Sequence, residues 1–557
     1  MSVRPRPRRS QPVRPRSRRQ LIVAAVFGLA ALAAVAALFI QLRGGGAGSS
    51  TLGGDSSYTE AVAGTYQRIN PLFASTNEVD ADLSRLVFSG LIQLGPDGSI
   101  LPDLAEIPQV STDGKTYTFK LKKGVNWHDG VAFTSRDVAF TINQLTDPDF
   151  KGDPALAEGW LGVETETPDD STFVVHIKQA SSPFLARSAA IGILPQHILG
   201  GLNAAALFDA PFNTAPIGTG PYRLSGIDTR EAKLTAYSDF HLGQPGIDTI
   251  RIRFYPDYSS ALRAVEGGEA SGLMLRESLT EAQVTEIKKI KGMKVEQLAR
   301  TAYVVLYLNN DRAQFFQDDR VRRAISLILD RKAIVDRVFL GVATVSSSPV
   351  APGTWAYAKQ YDNTQSRVAE AKKLLDDAGW RPHPTTGILV NGGAEFRITI
   401  RTDNDPVRMA IASEVARQLE PLGIRATVAS TTFSVLRRDF LQGRDYDAAI
   451  AGWAQGPDPD PYFGWHSTQT GAAGLNLANY ADAVADELIA KGRTVNDVEV
   501  RKDAYRQFQE VWEEKSPSVV LAYPQYLYAH SDAIQGMQFG VLSSGADRFV
   551  NVYKWHE

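Results

Sequence analysis

The eight histidines, at positions 128, 176, 197, 241, 383, 466, 530 and 556, never fall four residues apart, and no H-E-x-x-H occurs. The two-histidine helical metal site therefore has no candidate. The chain has no cysteine, which removes disulfides, thiolate zinc sites, Fe–S clusters, thiol nucleophiles and a lipid-modified cysteine anchor together. Neither a G-x-S-x-G elbow nor a G-x-x-x-x-G-K-[ST] phosphate loop is present. Gly218-Thr219-Gly220 runs into Pro221-Tyr222-Arg223, so a dinucleotide fingerprint lacks its third glycine and a turn entering a strand is the plain reading. Asp458 and Asp460 alternate with prolines and have neither the central Gly nor the closing Glu of a calcium loop. Carboxylate pairs are numerous along the chain, but hydrolysis of a sugar needs a set separation in space that sequence alone does not supply. These residues predict no catalytic group, no metal and no cofactor. The position that invites a ligand is Trp453, after Gly452 at the end of an apolar run. An indole placed there stacks; it does not react.

The elements around these positions fall into two styles. In the first half, Thr116–Leu121 and Thr172–Lys178 alternate, with Tyr117, Phe119 and Leu121 on one face and Phe173, Val175 and Ile177 on another. His176 falls on the polar side of its strand and reads as solvated. Between the two strands, Thr134 and Asp137 form a capping box opening a helix with Val138, Ile142 and Leu145 on one face. Asp-Gly turns at 97–98, 113–114 and 129–130 punctuate hairpins, which makes His128 and Asp129 turn residues. In the second half, a strand with Phe396, Ile398 and Ile400 precedes a helix with Ile411, Val415, Leu419 and Leu422, closed by Gly423. A strand over 424–429, a helix with Phe433, Leu436 and Phe440, and a strand over 447–452 complete βαβαβ, which predicts a largely parallel sheet. Such sheets bind ligands at the carboxyl ends of their strands, where Gly452 and Trp453 stand before the loop 454–461. Two flanking helices are expected, one from Asp319 running on to Phe339, the other capped by Ser366 and ended by Gly379.

Residues 1–43 carry nine arginines and no acid; the remainder holds 50 basic and 62 acidic side chains, a net of −12. An acidic body is a poor partner for nucleic acid. Leu21–Ile40 is 20 residues without a charged or strongly polar side chain, long enough as a helix to span a bilayer's hydrocarbon core. It exceeds the usual apolar core of a cleaved signal and reads as an uncleaved anchor, with a removed signal as the alternative. In either case the arginines stay cytoplasmic and the rest is exported. The expected layout is an Arg-rich segment 1–20, a transmembrane segment 21–42 and a Gly/Ser linker 43–57.

Several collinear segments resemble the extracellular solute-binding proteins of ABC importers, peptide/nickel-binding family 5. They are Ile69-Asn70-Pro71-Leu72, Val87-Phe88-Ser89-Gly90-Leu91, Pro102-Asp103-Leu104-Ala105-Glu106 and the stretch from Asp113 to Gly130 that contains Thr116-Tyr117-Thr118-Phe119 and Val125-Asn126-Trp127-His128-Asp129-Gly130. Gly218-Thr219-Gly220-Pro221-Tyr222, Asp319-Arg320-Val321-Arg322-Arg323-Ala324, the stretch 371–380 ending in Ala378-Gly379-Trp380, Tyr446-Asp447 and Gly452-Trp453 follow in order. The resemblance spans about 58–557.

The resemblance implies an α/β fold of the two-lobed periplasmic-binding-protein type (type II), with an extra subdomain in the N-terminal lobe, preceded by the transmembrane helix. Lobe 1 would comprise 58–300 plus 525–557 and lobe 2 would comprise 301–524. It implies a monomeric, non-enzymatic binding component, single-pass in the cell membrane with its body outside, that closes over a peptide or peptide-sized solute and presents it to ABC permease subunits. An oligosaccharide binder or a sensor of ligand occupancy is the alternative. Implied ligand contacts are Trp453, Gly452, Thr76 and Glu78, with Arg401 and Asn404 after a second-lobe strand. Two positions depart from the pattern of peptide binders. The Asp that meets a peptide's α-ammonium three residues after the Trp is Gly456 here, and an Arg three residues before it is Ile450. Asp458 is the candidate to reach that ammonium from a shifted loop; otherwise the ligand lacks a free N-terminus, and oligosaccharides and modified peptides stay open.

Overall fold

A computed structural model describes residues 56–276, 279–362 and 366–557. The Arg-rich segment, Leu21–Ile40 and nearly all of the Gly/Ser stretch lie outside the described residues. Ser56 and Ser57 already belong to the body: the Ser56 amide and hydroxyl donate to Asp248 at 2.9 and 3.0 Å, and Ser57 opens a strand. Among the described residues no helix is long and apolar enough to cross a membrane.

The first large sheet has seven strands, in the spatial order Met293–Leu298, Tyr526–Ser531, Gly272–Leu275, Ser57–Ala63, Thr249–Tyr255, Glu231–Ala236 and Tyr222–Ile227. Its central strand Ser57–Ala63 is parallel to both neighbours. A four-stranded antiparallel sheet stands beside it, built from the hairpin strands Thr116–Lys120 and Thr172–His176 with Gln109–Val110 and Glu164–Asp169. Tyr117, Phe119, Phe173 and Val175 are buried, as the alternation requires. The helix Ser135–Thr146 starts at the Thr134/Asp137 capping box, where Asp137 accepts from the Thr134 amide at 2.8 Å. His176, on the polar side of its strand, keeps 37% of its side chain in solvent. It lies opposite Thr116 and Glu164, and its ring sits 3.1 Å from the Thr116 hydroxyl and 3.3 Å from Glu166. Gly218 and Gly220 are packed on the Val87 carbonyl, to which Gly220 donates at 2.8 Å. A Cβ at Gly218 would fall 1.8 Å from that oxygen, so close approach of backbone explains the pair.

The second sheet has six strands, in the order Ala343–Thr344, Ser518–Pro524, Ala302–Leu308, Ala448–Ala454, Arg397–Asp403 and Arg425–Thr431. The last three are mutually parallel, as βαβαβ predicts. Ala302–Leu308, however, is antiparallel to both its neighbours, so the sheet is mixed and not largely parallel. Its antiparallel members come from the two ends of the second half, beyond any local pattern. The helix from Asp319 ends at Ile328; Leu329 leaves helical geometry, and Asp330 caps a second helix, Arg331–Val338, by accepting from Ala333 at 2.9 Å. Ser366 caps nothing: its hydroxyl donates to the Ile328 carbonyl at 2.8 Å, and Arg367 occupies the cap. The segment after Thr432 makes one α-turn and then widens to a π-helix, Leu436–Leu441.

Each sheet has its own core. Leu306, Ile398, Ile400 and Ile450 pack under Ile411, Val415 and Leu419 on one face of the second sheet. On its other face Tyr303, Val305, Tyr307, Ala449 and Ala451 pack with Trp465, Phe508 and Trp512. The first sheet buries Tyr222, Leu234, Ile250, Ile252 and Trp555 separately. Independent cores on separate sheets make two lobes.

Candidate functional site

Two chain crossings join the lobes. Met293–Leu298 is followed after three residues by Ala302–Leu308, and Ser518–Pro524 after one residue by Tyr526–Ser531. The strand ends nearest the crossings therefore face the opposite lobe. In the second lobe these are Ala302, its register partner Ala454, Pro524 and the carboxyl end of Arg397–Asp403. In the first lobe they are Leu298, Tyr526 and Leu275, the last opposite Leu527. Parallel strands thus present their carboxyl ends to the space between the lobes, where α/β sheets take ligands.

One strand end is incomplete as a sheet. The ladder between Arg397–Asp403 and Ala448–Ala454 stops at Arg401 opposite Ala449, so the edge from Ala451 to Ala454 has no strand on that side. On the opposite edge, the Gln455 amide donates to the carbonyl of Thr301, directly across. Antiparallel alternation then turns the polar groups of Trp453 and Ala451 toward Ala302–Leu308, and those of Gly452 and Ala454 outward. Gly452 and Ala454 are both exposed.

Beside this edge lies a cavity of about 220 Å³. Its apolar wall is Val304, Val338, Phe339, Val342 and Val407; its polar lining is Arg276, Arg300, Asp405, Arg408 and Gln525. Val304 is the cross-strand partner of Gly452, so the cavity is lined one strand in from the open edge. Arg276 comes from the first lobe, at the end of Gly272–Leu275, and is held by Glu78 at 3.0 Å and Asp82 at 2.5 Å. Asp82 is fully buried, as are Glu60 and Arg548; Arg548 bonds to both carboxylates, at 2.9 and 2.8 Å. Burial pushes the Asp82 carboxyl up, but Arg276 and Arg548 more than offset that and leave it below its ordinary value. Glu60 stays above its ordinary value, because burial outweighs its single guanidinium partner.

The structure distributes the residues expected from sequence. Glu78, first residue of the helix Glu78–Val87, reaches the cavity through Arg276. Asn404 is exposed beside Asp405 at the carboxyl end of its strand. Thr76 is exposed at the end of a short 3-10 turn before that first-lobe helix. Trp453 and Arg401 belong to the other face of the second sheet. Trp453 is half-buried over Gly464, where a Cβ would stand 3.2 Å from the indole. Arg401 stacks on Phe440 with 4.1 Å to the ring centroid. Asp458 is buried and bonded to Arg501 at 2.8 Å, so its charge is already matched within the second lobe. Arg276, Arg300 and Arg408 did not emerge from sequence reasoning; the one signal for Arg300 is an arginine standing next to the expected crossing at 301.

Two α/β lobes joined by two crossings, with an open strand edge and a lined cavity between them, are the architecture of a solute-binding protein. The chain belongs to the bacterial extracellular solute-binding proteins, family 5: the profile of that family's middle region matches residues 99–474. It is 29% identical over 472 residues to the oligopeptide-binding protein AppA of Bacillus subtilis, covering 84% of this chain and 86% of AppA. The solved AppA, in complex with a nonapeptide, is similar with a TM-score of 0.64 at 28% identity over 90% of this chain and 98% of that one. NikZ from Campylobacter jejuni in complex with Ni(L-His) is similar with a TM-score of 0.67 at 25% identity over 90% of this chain and 99% of that one.

Proposed function

We propose that this chain is the extracellular substrate-binding component of an ABC importer, capturing peptides or peptide-sized solutes and delivering them to permease subunits. The carrying observation is the unpartnered strand edge at Gly452 and Ala454, open beside the interlobe cavity. An extended peptide adds to such an edge through its own backbone, which gives affinity without demanding one side-chain sequence. Trp453 flanks that edge as the stacking surface. The relatives solved or described with peptides support the same reading. In this reading lobe 1 is 58–300 with 525–557, lobe 2 is 301–524, and Leu21–Ile40 tethers the body to the membrane. The protein is a carrier and not an enzyme: the ligand touches both lobes only when they close, and the gain biases a hinge. Moving such a hinge from 1:99 to 99:1 takes about 5.5 kcal/mol of preference for the closed form. Native mass spectrometry of the protein purified from its own host tests the proposal. A mixture of peptide masses is expected, and a purely saccharide or chelate mass overturns the peptide reading.

A further inference from the structure

Three guanidinium groups line the interlobe cavity, and they differ in what they already hold. Arg276 is bonded to Glu78 and Asp82, and Arg408 lies 2.7 Å from Asp403 and 3.8 Å from Asp405. Arg300, among the described residues, has no carboxylate within ion-pair distance and no hydrogen bond. Its guanidinium lies over the ring of Tyr526, 4.2 Å from the centroid. The ring occupies one face of the guanidinium and leaves the in-plane N–H donors unused. Arg300 is half-buried and shares its cavity with Val304, Val338, Phe339 and Val342, where a charge without a partner is costly and a charge-assisted pair is strengthened.

We propose that Arg300 is the specificity-determining residue that receives a carboxylate of the captured solute. This rests on the reading of the cleft as the capture site. Each neighbouring acid is already engaged: Arg276 holds Glu78 and Asp82, Asp82 also bonds to Arg548, and Arg408 lies beside Asp403 and Asp405. A planar two-oxygen anion matches the edge of a guanidinium that is fixed by stacking. Position adds to the argument. Arg300 lies in one chain crossing and Tyr526 opens the strand after the other, so the contact is offered where the chain passes between the lobes.

The test uses the full chain and three equimolar pools of tri- to hexapeptides: free C-termini, amidated C-termini, and amidated C-termini with one Glu in each peptide. Retention is read by native mass spectrometry. The wild type is expected to retain free-acid peptides about tenfold over plain amides. Arg300→Gln is expected to abolish that gap, and Arg300→Lys, with charge but no fork, to keep part of it; equal melting temperatures certify the fold. Retention of the Glu-bearing amides like free acids supports the proposal and assigns the carboxylate to a side chain, and their rejection assigns it to the C-terminus. Equal retention of acids and amides by the wild type, or a gap that survives in Arg300→Gln, overturns Arg300's role while leaving peptide capture standing. A fourth pool, of sugar acids and short dicarboxylates, separates the two readings. If this pool alone is retained, and through Arg300, the peptide reading falls and the carboxylate role stands. Retention of nothing from any pool overturns both.

Discussion

Asp460 and Arg187 come from opposite lobes, and the guanidinium stands 3.9 Å from a carboxylate that has no solvent exposure. Arg493, from Asp460's own lobe, bonds to the same carboxylate. Arg187 also lies over Phe463, 5.2 Å from its centroid. Close by, the Ser182 amide donates across the lobes to the Arg493 carbonyl at 2.9 Å. The loop 454–461, with its alternating Pro and Asp, therefore ties the second lobe to the first as well as ending the open strand.

Asp460→Asn leaves two guanidiniums facing each other around a neutral amide. Removing one partner of a fully buried pair costs about 3–5 kcal/mol. Here both arginines keep part of their surface in solvent, so about 1–3 kcal/mol is expected. Because one of the lost contacts joins the lobes, part of the loss appears as opening: small-angle scattering of the ligand-free variant should give a larger radius of gyration than the wild type. An unchanged radius together with an unchanged melting temperature would dismiss that tie.

Trp453→Ala should weaken ligand binding by about 1–3 kcal/mol through lost stacking and burial, and Trp453→Phe should recover much of it. Titration calorimetry with a peptide that co-purifies with the wild type measures both. Equal affinity in the alanine variant removes the indole from the site.

Ala454→Pro separates backbone recognition from side-chain recognition. The Ala454 amide points away from Ala302–Leu308, so its loss spares the ladder, whereas proline at Trp453 would break it. The expected result is at least about tenfold weaker peptide binding with the melting temperature nearly kept. Full affinity in a folded Ala454→Pro protein means that the ligand does not use this edge.

His128 gives the fold a pH dependence far from the cleft. Burial, with Arg223 adding to it, holds the imidazole down at about 4, against the partial support of the Gly220 carbonyl. In the unfolded chain the group titrates near 6.5. Between those values the unfolded chain binds the extra proton, so stability is intact above about pH 6.5 and falls as pH drops toward 4, by up to about 3 kcal/mol. Thermal unfolding followed from pH 7 to 4 checks this; His128→Gln should flatten the slope in that window. An identical slope in the variant assigns the acid sensitivity to other groups.

Local pattern carried much of this architecture into the sequence. The capping box at Thr134, the alternation of Phe396, Ile398 and Ile400, and the helix ending at Gly423 each depend on residues within a few positions of one another, and they stand where expected. What failed to show depends on distance along the chain. The antiparallel strands Ala302–Leu308 and Ser518–Pro524 pair across more than 200 residues, and nothing in either segment announces the other. The cavity's arginines are invisible for the same reason, since Arg276, Arg300 and Arg408 converge only once both lobes exist. Asp458 bonds to Arg501, 43 residues further on, a partner its own loop does not announce. The break at Leu329 was legible in principle: Asp330 is a good N-cap, and an apolar stripe continuing past it concealed the new start.

Arg548 joins the C-terminal segment to the first lobe. With no exposed surface, it bonds to Glu60 on the central strand and to Asp82 on the helix that also holds the cavity-lining Arg276. Arg548→Met replaces it with an apolar chain of similar length and leaves two buried carboxylates short of a partner, which should cost about 3–5 kcal/mol at neutral pH. The pH profile identifies the cause. Burial already holds Glu60 above its ordinary value; without the guanidinium it rises further, and Asp82 loses one of the two partners that keep it low. A carboxyl whose folded-state value is raised contributes stability at low pH and loses it as pH rises. Urea midpoints for the variant should therefore improve from pH 8 to pH 5 relative to the wild type. A deficit of the same size at both pH values would mean that Arg548 serves by packing and not by charge.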